Sequence, residues 1–181
     1  MKGIVYTEFL EMVESNFGLE VVDRIIEQSD LASGGAYTAV GTYDHTELLR
    51  LVGELAKVTG MTVPDLLRAF GRHLFGRFAV LYPQTLEGAY SSFSFLARIE
   101  GIVHVDVRKL YPDAELPTFE CSDPNGDELT MIYRSTRPFA DFAEGLIMGC
   151  AEHFGEKIAI EREDLCDVIG PGVRFTLKKQ G

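Results

Sequence analysis

No stretch of this chain clusters lysine and arginine, and its net charge is −11. A phosphate backbone demands grouped cations, so the sequence argues against nucleic acid as a partner. It argues equally against anionic membrane surfaces. No apolar run is long enough to span a bilayer, so membrane insertion is not expected. Glu8, Glu11 and Glu14 interrupt the N-terminal apolar residues. A signal peptide needs an unbroken apolar core, so export is not expected. Cysteine is scarce: Cys121, Cys150 and Cys166 form an odd set without C-x-x-C spacing. That usage fits a reducing cytoplasm. There is no P-loop, no glycine-rich dinucleotide motif and no Ser/His/Asp set at useful spacing. Internal repeats, low-complexity segments and obvious linkers are also missing.

What is present reads as ordinary globular protein, 46% hydrophobic and 25% charged. The 181 residues suffice for one domain with a full core, or for two lobes sharing a ligand. Ile4, Val5, Phe9, Leu10, Met12, Val13 and Phe17 recur at helical spacing until Gly18 stops them. A second helix fits Glu20 to Gln28, and Ser33-Gly34-Gly35 marks a loop. Asp44-His45-Thr46-Glu47 has the form of a capping box. The helix behind it closes at Gly60. Thr62-Val63-Pro64-Asp65 opens another, with Leu66, Leu67, Phe70, Leu74, Phe75 and Phe78 running towards Tyr82-Pro83. A further helix fits Leu86 to Ile99.

The pattern then changes. Pro117 to Cys121 and Glu128 to Tyr133 read as strands around a hairpin turn at Asp123-Pro124-Asn125-Gly126. Pro138 to Phe154 is helical. Lys157 to Arg162 and Val173 to Lys178 read as a closing strand pair around Gly170-Pro171-Gly172. A helical N-terminal half therefore precedes an α+β C-terminal half.

Two features carry chemistry. Tyr133, Ser135 and Arg137 form a Y-x-S-x-R run. In an extended segment these side chains share one face, giving two hydroxyls and a guanidinium side by side. That is an anion clamp suited to carboxylates or phosphates. About thirty residues earlier stands His104. Pattern alone would make Gly101 to Val107 a strand and His104 a surface residue. Taken alone, Tyr133, Ser135 and Arg137 would read as one polar face of a strand, since solvated strand faces are common. Against that, Arg134 and Thr136 leave no clean apolar side, and Pro138 ends the strand. A histidine to ligate iron and a clamp for propionates, in an apolar surround, is what holding a haem requires.

With these residues in place, the chain resembles the H-NOX family of haem nitric oxide/oxygen-binding domains, whose relatives include the haem domain of soluble guanylate cyclase. The resemblance spans the chain. It begins at Met1-Lys2-Gly3 and Phe17-Gly18-x-x-Val21-Val22-Asp23. It continues through His104-Val105-Asp106-Val107-Arg108-Lys109-Leu110-Tyr111-Pro112-Asp113-Ala114-Glu115-Leu116-Pro117, and ends on Tyr133, Ser135 and Arg137. A five-residue motif alone arises by chance; the histidine-to-proline block at the right distance makes the combination specific.

The resemblance implies a single bacterial stand-alone domain with an α+β fold. About residues 1–60 would form a helical distal lobe. About residues 61–181 would form the haem-binding lobe with an antiparallel sheet, and haem b would lie between the two. It implies that His104 is a helical residue and the proximal iron ligand. Tyr133, Ser135 and Arg137 would bind the propionates, and Pro117 would press on a pyrrole. Val5, Phe9, Leu74, Phe78, Phe142 and Leu146 would line the haem pocket. Oxygen-binding relatives place a tyrosine where this chain has Phe142, so NO and CO are the expected ligands and O2 is excluded. Helical spacing sets Tyr6 off the Val5/Phe9 face. Leu74 rather than His73 matches the inward position, and His45 is expected at the surface.

Some relatives carry a structural zinc built from several cysteines and a histidine. Cys150, His153 and Cys166 fall short of a four-ligand set, so zinc is not expected. The implied function is a cytoplasmic haem-based nitric oxide sensor, not an enzyme. Nitric oxide would release His104, and a separate histidine kinase or cyclic-di-GMP enzyme would receive the signal. Two readings from other classes are a haem-using enzyme of peroxidase or nitric oxide dioxygenase type, and a haem-free interaction module of the same fold. An absorption spectrum separates them.

Overall fold

Glycine punctuates the N-terminal half. Helix α1 covers Gly3–Phe17 and stops at Gly18, whose φ of 87° suits a residue without Cβ. Helix α2 covers Leu19–Gln28, α3 His45–Thr59 and α4 Val63–Leu81. Gly60 ends α3 in the left-handed conformation, with its N–H on Ala56 O. Thr62 caps α4, and Pro64 fits its first turn. The structure is a computed structural model and describes residues 1–112, 114–122, 126–167 and 170–180.

The expected capping box at α3 forms only by half. Asp44 accepts from Thr46 N at 2.8 Å, as an N-cap should. Glu47 turns instead into the core, where it is 5% exposed. It accepts from Ser33 Oγ at 2.5 Å and from Tyr37 Oη at 2.6 Å, binding the Ser33 loop to α3.

The expected helix over Leu86 to Ile99 is a correction. Pro83–Leu86 forms a 3-10 turn, and only Ser92–Leu96 is α-helical, as α5. Gly88 has a φ of 73°, which breaks the helix, and Ser91 with Ser94 builds a capping box that restarts the chain. A π turn over Ile99–Val103 leads into α6, His104–Leu110. His104 is therefore helical, as the resemblance implied and as alternation alone would have missed.

Four antiparallel strands follow in the order β1-β2-β4-β3. They are β1 Thr118–Cys121, β2 Glu128–Arg134, β3 Ile158–Asp167 and β4 Gly170–Lys179. The predicted turn at Asp123-Pro124-Asn125 lies outside the described residues. Gly170, Pro171 and Gly172 belong to β4 itself, paired with Asp167, Cys166 and Leu165. Helix α7, Ala140–His153, joins the two strand pairs.

Two buried clusters result. One joins α1, α2, α3 and the first half of α4 through Phe9, Ile25, Leu51, Leu55 and Phe70. The other joins the end of α4, α5, α7 and the sheet through Phe75, Phe93, Met131, Ile147 and Phe175. Helices α4 and α7 serve both, and they cross closely. A Cβ on Gly71 would stand 2.3 Å from Phe142 O, and one on Gly145 would stand 2.2 Å from Arg68 O. Leu146 packs against both clusters.

Candidate functional site

Between the clusters lies a cavity of about 1340 Å³. Ordinary small-molecule pockets run to about 1,000 Å³, so this chamber has room for a large ligand. Its walls divide by chemistry.

One wall is apolar. Val5 and Ile4 reach it from α1, Leu74 and Phe78 from α4, and Phe142 and Leu146 from α7. Phe9, expected on this wall, is not on it. Phe9 is fully buried and meets Phe70 edge-on at 5.1 Å, and Phe70 stacks on Phe142 at 5.1 Å. Phe9 thus supports the wall from one ring behind. Tyr6 is also fully buried and off the cavity lining. Its hydroxyl donates to Asp44 O at 2.6 Å, and its ring stacks on Tyr37 at 4.5 Å. Leu74 faces the cavity, while His73 Nε2 lies 3.8 Å from Glu8 Oε2 on the other side of α4.

The opposite wall carries His104, at the first turn of α6, with Pro117 from the segment leading into β1 and Phe119 from β1 itself. His104 is 8% exposed. Its Nδ1 lies 2.8 Å from Glu100 Oε1. Burial lowers the imidazole pKa, and the Glu100 carboxylate opposes that only in part. The ring is therefore neutral at pH 7. With Nδ1 engaged by Glu100, Nε2 keeps a lone pair for a metal.

The mouth is polar. Tyr133 closes the inward row of β2 after Leu129 and Met131, all three buried. It pairs with Phe119 on one side and Val173 on the other. The alternation of β2 is thus clean up to Tyr133, and the reading of a solvated polar face is wrong there. The strand ends at Arg134, so Tyr133, Ser135 and Arg137 do not share one extended face as expected. The chain bends instead. Arg137 N donates to Ser135 Oγ at 3.0 Å, and Ser135 bonds the Tyr133 hydroxyl. Burial raises the Tyr133 pKa, against the pull of Ser135 and Arg137.

The Arg137 side chain is 15% exposed and its guanidinium holds the carboxylate of Glu115. That contact shows the chemistry the clamp accepts: Glu115 occupies Arg137 as a ligand carboxylate would. His45, expected at the surface, lines the cavity beside the clamp, against Phe139 at 6.1 Å. Among the site residues that escaped sequence reasoning are His45 and Glu100. The signal for Glu100 was its i, i+4 spacing to His104, visible only once that segment is taken as helical.

One neutral imidazole, one carboxylate-binding guanidinium with two hydroxyls, and an apolar chamber of this size fit a haem. Apart from His45, the remaining sulfur and imidazole groups among the described residues lie off the chamber lining. Cys150 is fully buried with Sγ directed to Ser92 O at 3.9 Å, while His153 and Cys166 are exposed. No described helix is long and apolar enough to cross a membrane.

The sequence matches the Haem-NO-binding family over residues 2–162. It is 43% identical to the H-NOX protein of K. algicida, whose structure is Fe(II) unliganded, over 100% of this chain and 97% of that one, with a TM-score of 0.92. It is 41% identical to the IWP-051-bound H-NOX of Shewanella woodyi in the Fe(II)CO state, over 99% and 95%, with a TM-score of 0.84. The H-NOX protein of S. oneidensis in the Fe(II)NO state is 26% identical over the full length of both chains, with a TM-score of 0.91.

Proposed function

The chain belongs to the Haem-NO-binding family of gas-binding haem sensor domains, and from that we propose that it is a nitric oxide sensor built on haem b, acting through a separate protein. One observation carries the reading: His104, its Nδ1 held by Glu100, and the carboxylate-binding Arg137 open into the same largely apolar chamber. Haem would supply the iron to which a diatomic gas ligates.

His104 would hold that iron through Nε2. Tyr133, Ser135 and Arg137 would hold the propionates, and Pro117 would press on the macrocycle. Val5, Leu74, Phe78, Phe142 and Leu146 would keep the gas side apolar, with Phe9 behind them. Such a wall favours NO and CO and excludes O2, which needs a hydrogen-bond donor. Nitric oxide at that iron would release His104 and with it α6, and would relax the contact that Pro117 makes with the macrocycle. The two states then differ in protein contacts, as a ligand-driven population shift requires. The receiver would be a histidine kinase or a cyclic-di-GMP enzyme in the cytoplasm, and this chain would catalyse nothing itself. The domain would divide into a distal lobe over about residues 1–60 and a haem-binding lobe over the rest.

The test is an absorption spectrum of the purified protein, oxidised and reduced, with and without nitric oxide. A ferrous band that shifts with nitric oxide and loses its histidine signature is expected. A protein that takes up no haem ends the proposal.

A further inference from the structure

Glu100 stands four residues before His104, inside the π turn that leads into α6. One of its oxygens has two partners. His104 Nδ1 lies 2.8 Å from Oε1, and Phe119 N of β1 donates to that same oxygen at 2.8 Å. The other oxygen faces Arg108 Nη2 at 4.0 Å. An ionised carboxylate can only accept hydrogen bonds, and a backbone amide can only donate. The geometry therefore places a proton on Nδ1, so that in the neutral imidazole it is Nε2 that keeps the lone pair.

From this we infer that Glu100 is the positioning residue for His104. It fixes the tautomer, and its charge makes the imidazole a stronger donor through Nε2. A carboxylate behind a ligating histidine raises ligand basicity in this way. Glu100 also ties the ligand to the sheet, because Phe119 is the register partner of Tyr133 in the clamp. Glu100 thus sets how firmly His104 holds its metal and how readily nitric oxide can dislodge it. The inference rests on the reading of His104 as the iron ligand.

Two variants and two readouts test it. Glu100→Gln keeps an oxygen for both donors and removes the charge; Glu100→Ala removes both. In the haem-free protein, nitrogen NMR of the His104 ring should show the Nδ1–H tautomer in the wild type and in Glu100→Gln, and a mixture in Glu100→Ala. In the ferrous haem-loaded protein, resonance Raman should show the iron–histidine stretch at lower frequency in Glu100→Gln than in the wild type. A purely structural role would leave that frequency unmoved. An Nε2–H tautomer in the wild type, or an unchanged stretch in Glu100→Gln, overturns the inference while leaving His104 as the ligand. A wild type with no iron–histidine stretch at all overturns the reading of His104, and this inference with it.

Discussion

At the residue scale, the site divides its labour among groups that cannot stand in for one another. His104 is the one described histidine with a buried ring, a carboxylate on Nδ1 and a place on the chamber wall. His104→Gly should abolish the iron–histidine bond, and added imidazole should restore a five-coordinate ferrous spectrum. An unchanged ferrous spectrum without imidazole would show that another group ligates. Arg137 has a planar fork that meets a carboxylate in paired geometry, which the point charge of lysine cannot copy. Arg137→Ala should lose haem on purification, and Arg137→Lys should restore it only in part. Haem-to-protein ratios of the three proteins, expressed side by side, decide this. On the proposed reading Phe142, on the chamber wall, would set gas selectivity. A hydrogen bond to a charged acceptor contributes about 1.5–3 kcal/mol, enough to decide whether oxygen is held in air. The Tyr6 hydroxyl is committed to Asp44 O, so it does not supply that bond. The ferrous wild type should give no stable oxygenated spectrum in air-saturated buffer, and Phe142→Tyr should gain one.

At the element scale, the crossing of α4 and α7 fixes the apolar wall. Leu74 and Phe78 come from one helix, Phe142 and Leu146 from the other, and glycines let the backbones approach. Gly145→Ala would push a methyl group against the Arg68 carbonyl. It should cost about 1–3 kcal/mol by overpacking. Gly53, in α3, has nothing near its Cβ position. Gly53→Ala should stabilise by about 0.5–1 kcal/mol, since only the backbone entropy of glycine is removed. Urea denaturation of both variants against the wild type measures the contrast; equal effects would mean the crossing is looser than described. Elements with one strong local signal were legible in the sequence. Gly18 and Gly60 ended their helices, Thr62 and Pro64 opened α4, and β2 lay where its residues read as extended. Elements whose form depends on the far side of the fold were not. Glu47 makes half a capping box by sequence, but Ser33 and Tyr37 from another loop outbid the helix amide. Gly101 to Val107 alternates like a strand, yet Glu100, Phe119 and the chamber make it a π turn and a helix. Of the site, the clamp residues were legible as an anion-binding set, and His104 as a helical ligand only through the family pattern. The bend at Ser135 and the retreat of Phe9 behind Phe70 depend on packing that no local pattern encodes.

At the scale of the whole molecule, two apolar clusters meet across one chamber, and among the described elements only α4 and α7 belong to both. A ligand held by His104 on one side, Arg137 at the mouth and Phe142 on the other would join them more tightly than the helices alone. Binding to the folded state alone stabilises by mass action, about 2.7 kcal/mol when free ligand stands at a hundred times its dissociation constant. For a chain of this size each kcal/mol moves the midpoint by about 2–4 °C. Saturating haem should therefore raise the unfolding temperature by roughly 5–10 °C at that excess. The gain should extend to both clusters, because the ligand contacts both. Calorimetry measures the first, and amide exchange measures the second. Slower exchange in α1 as well as in α6 and β1 is the expected result. Protection confined to α6 and β1 would mean that haem is held by one lobe alone, and that release of His104 has no lever on the helical half.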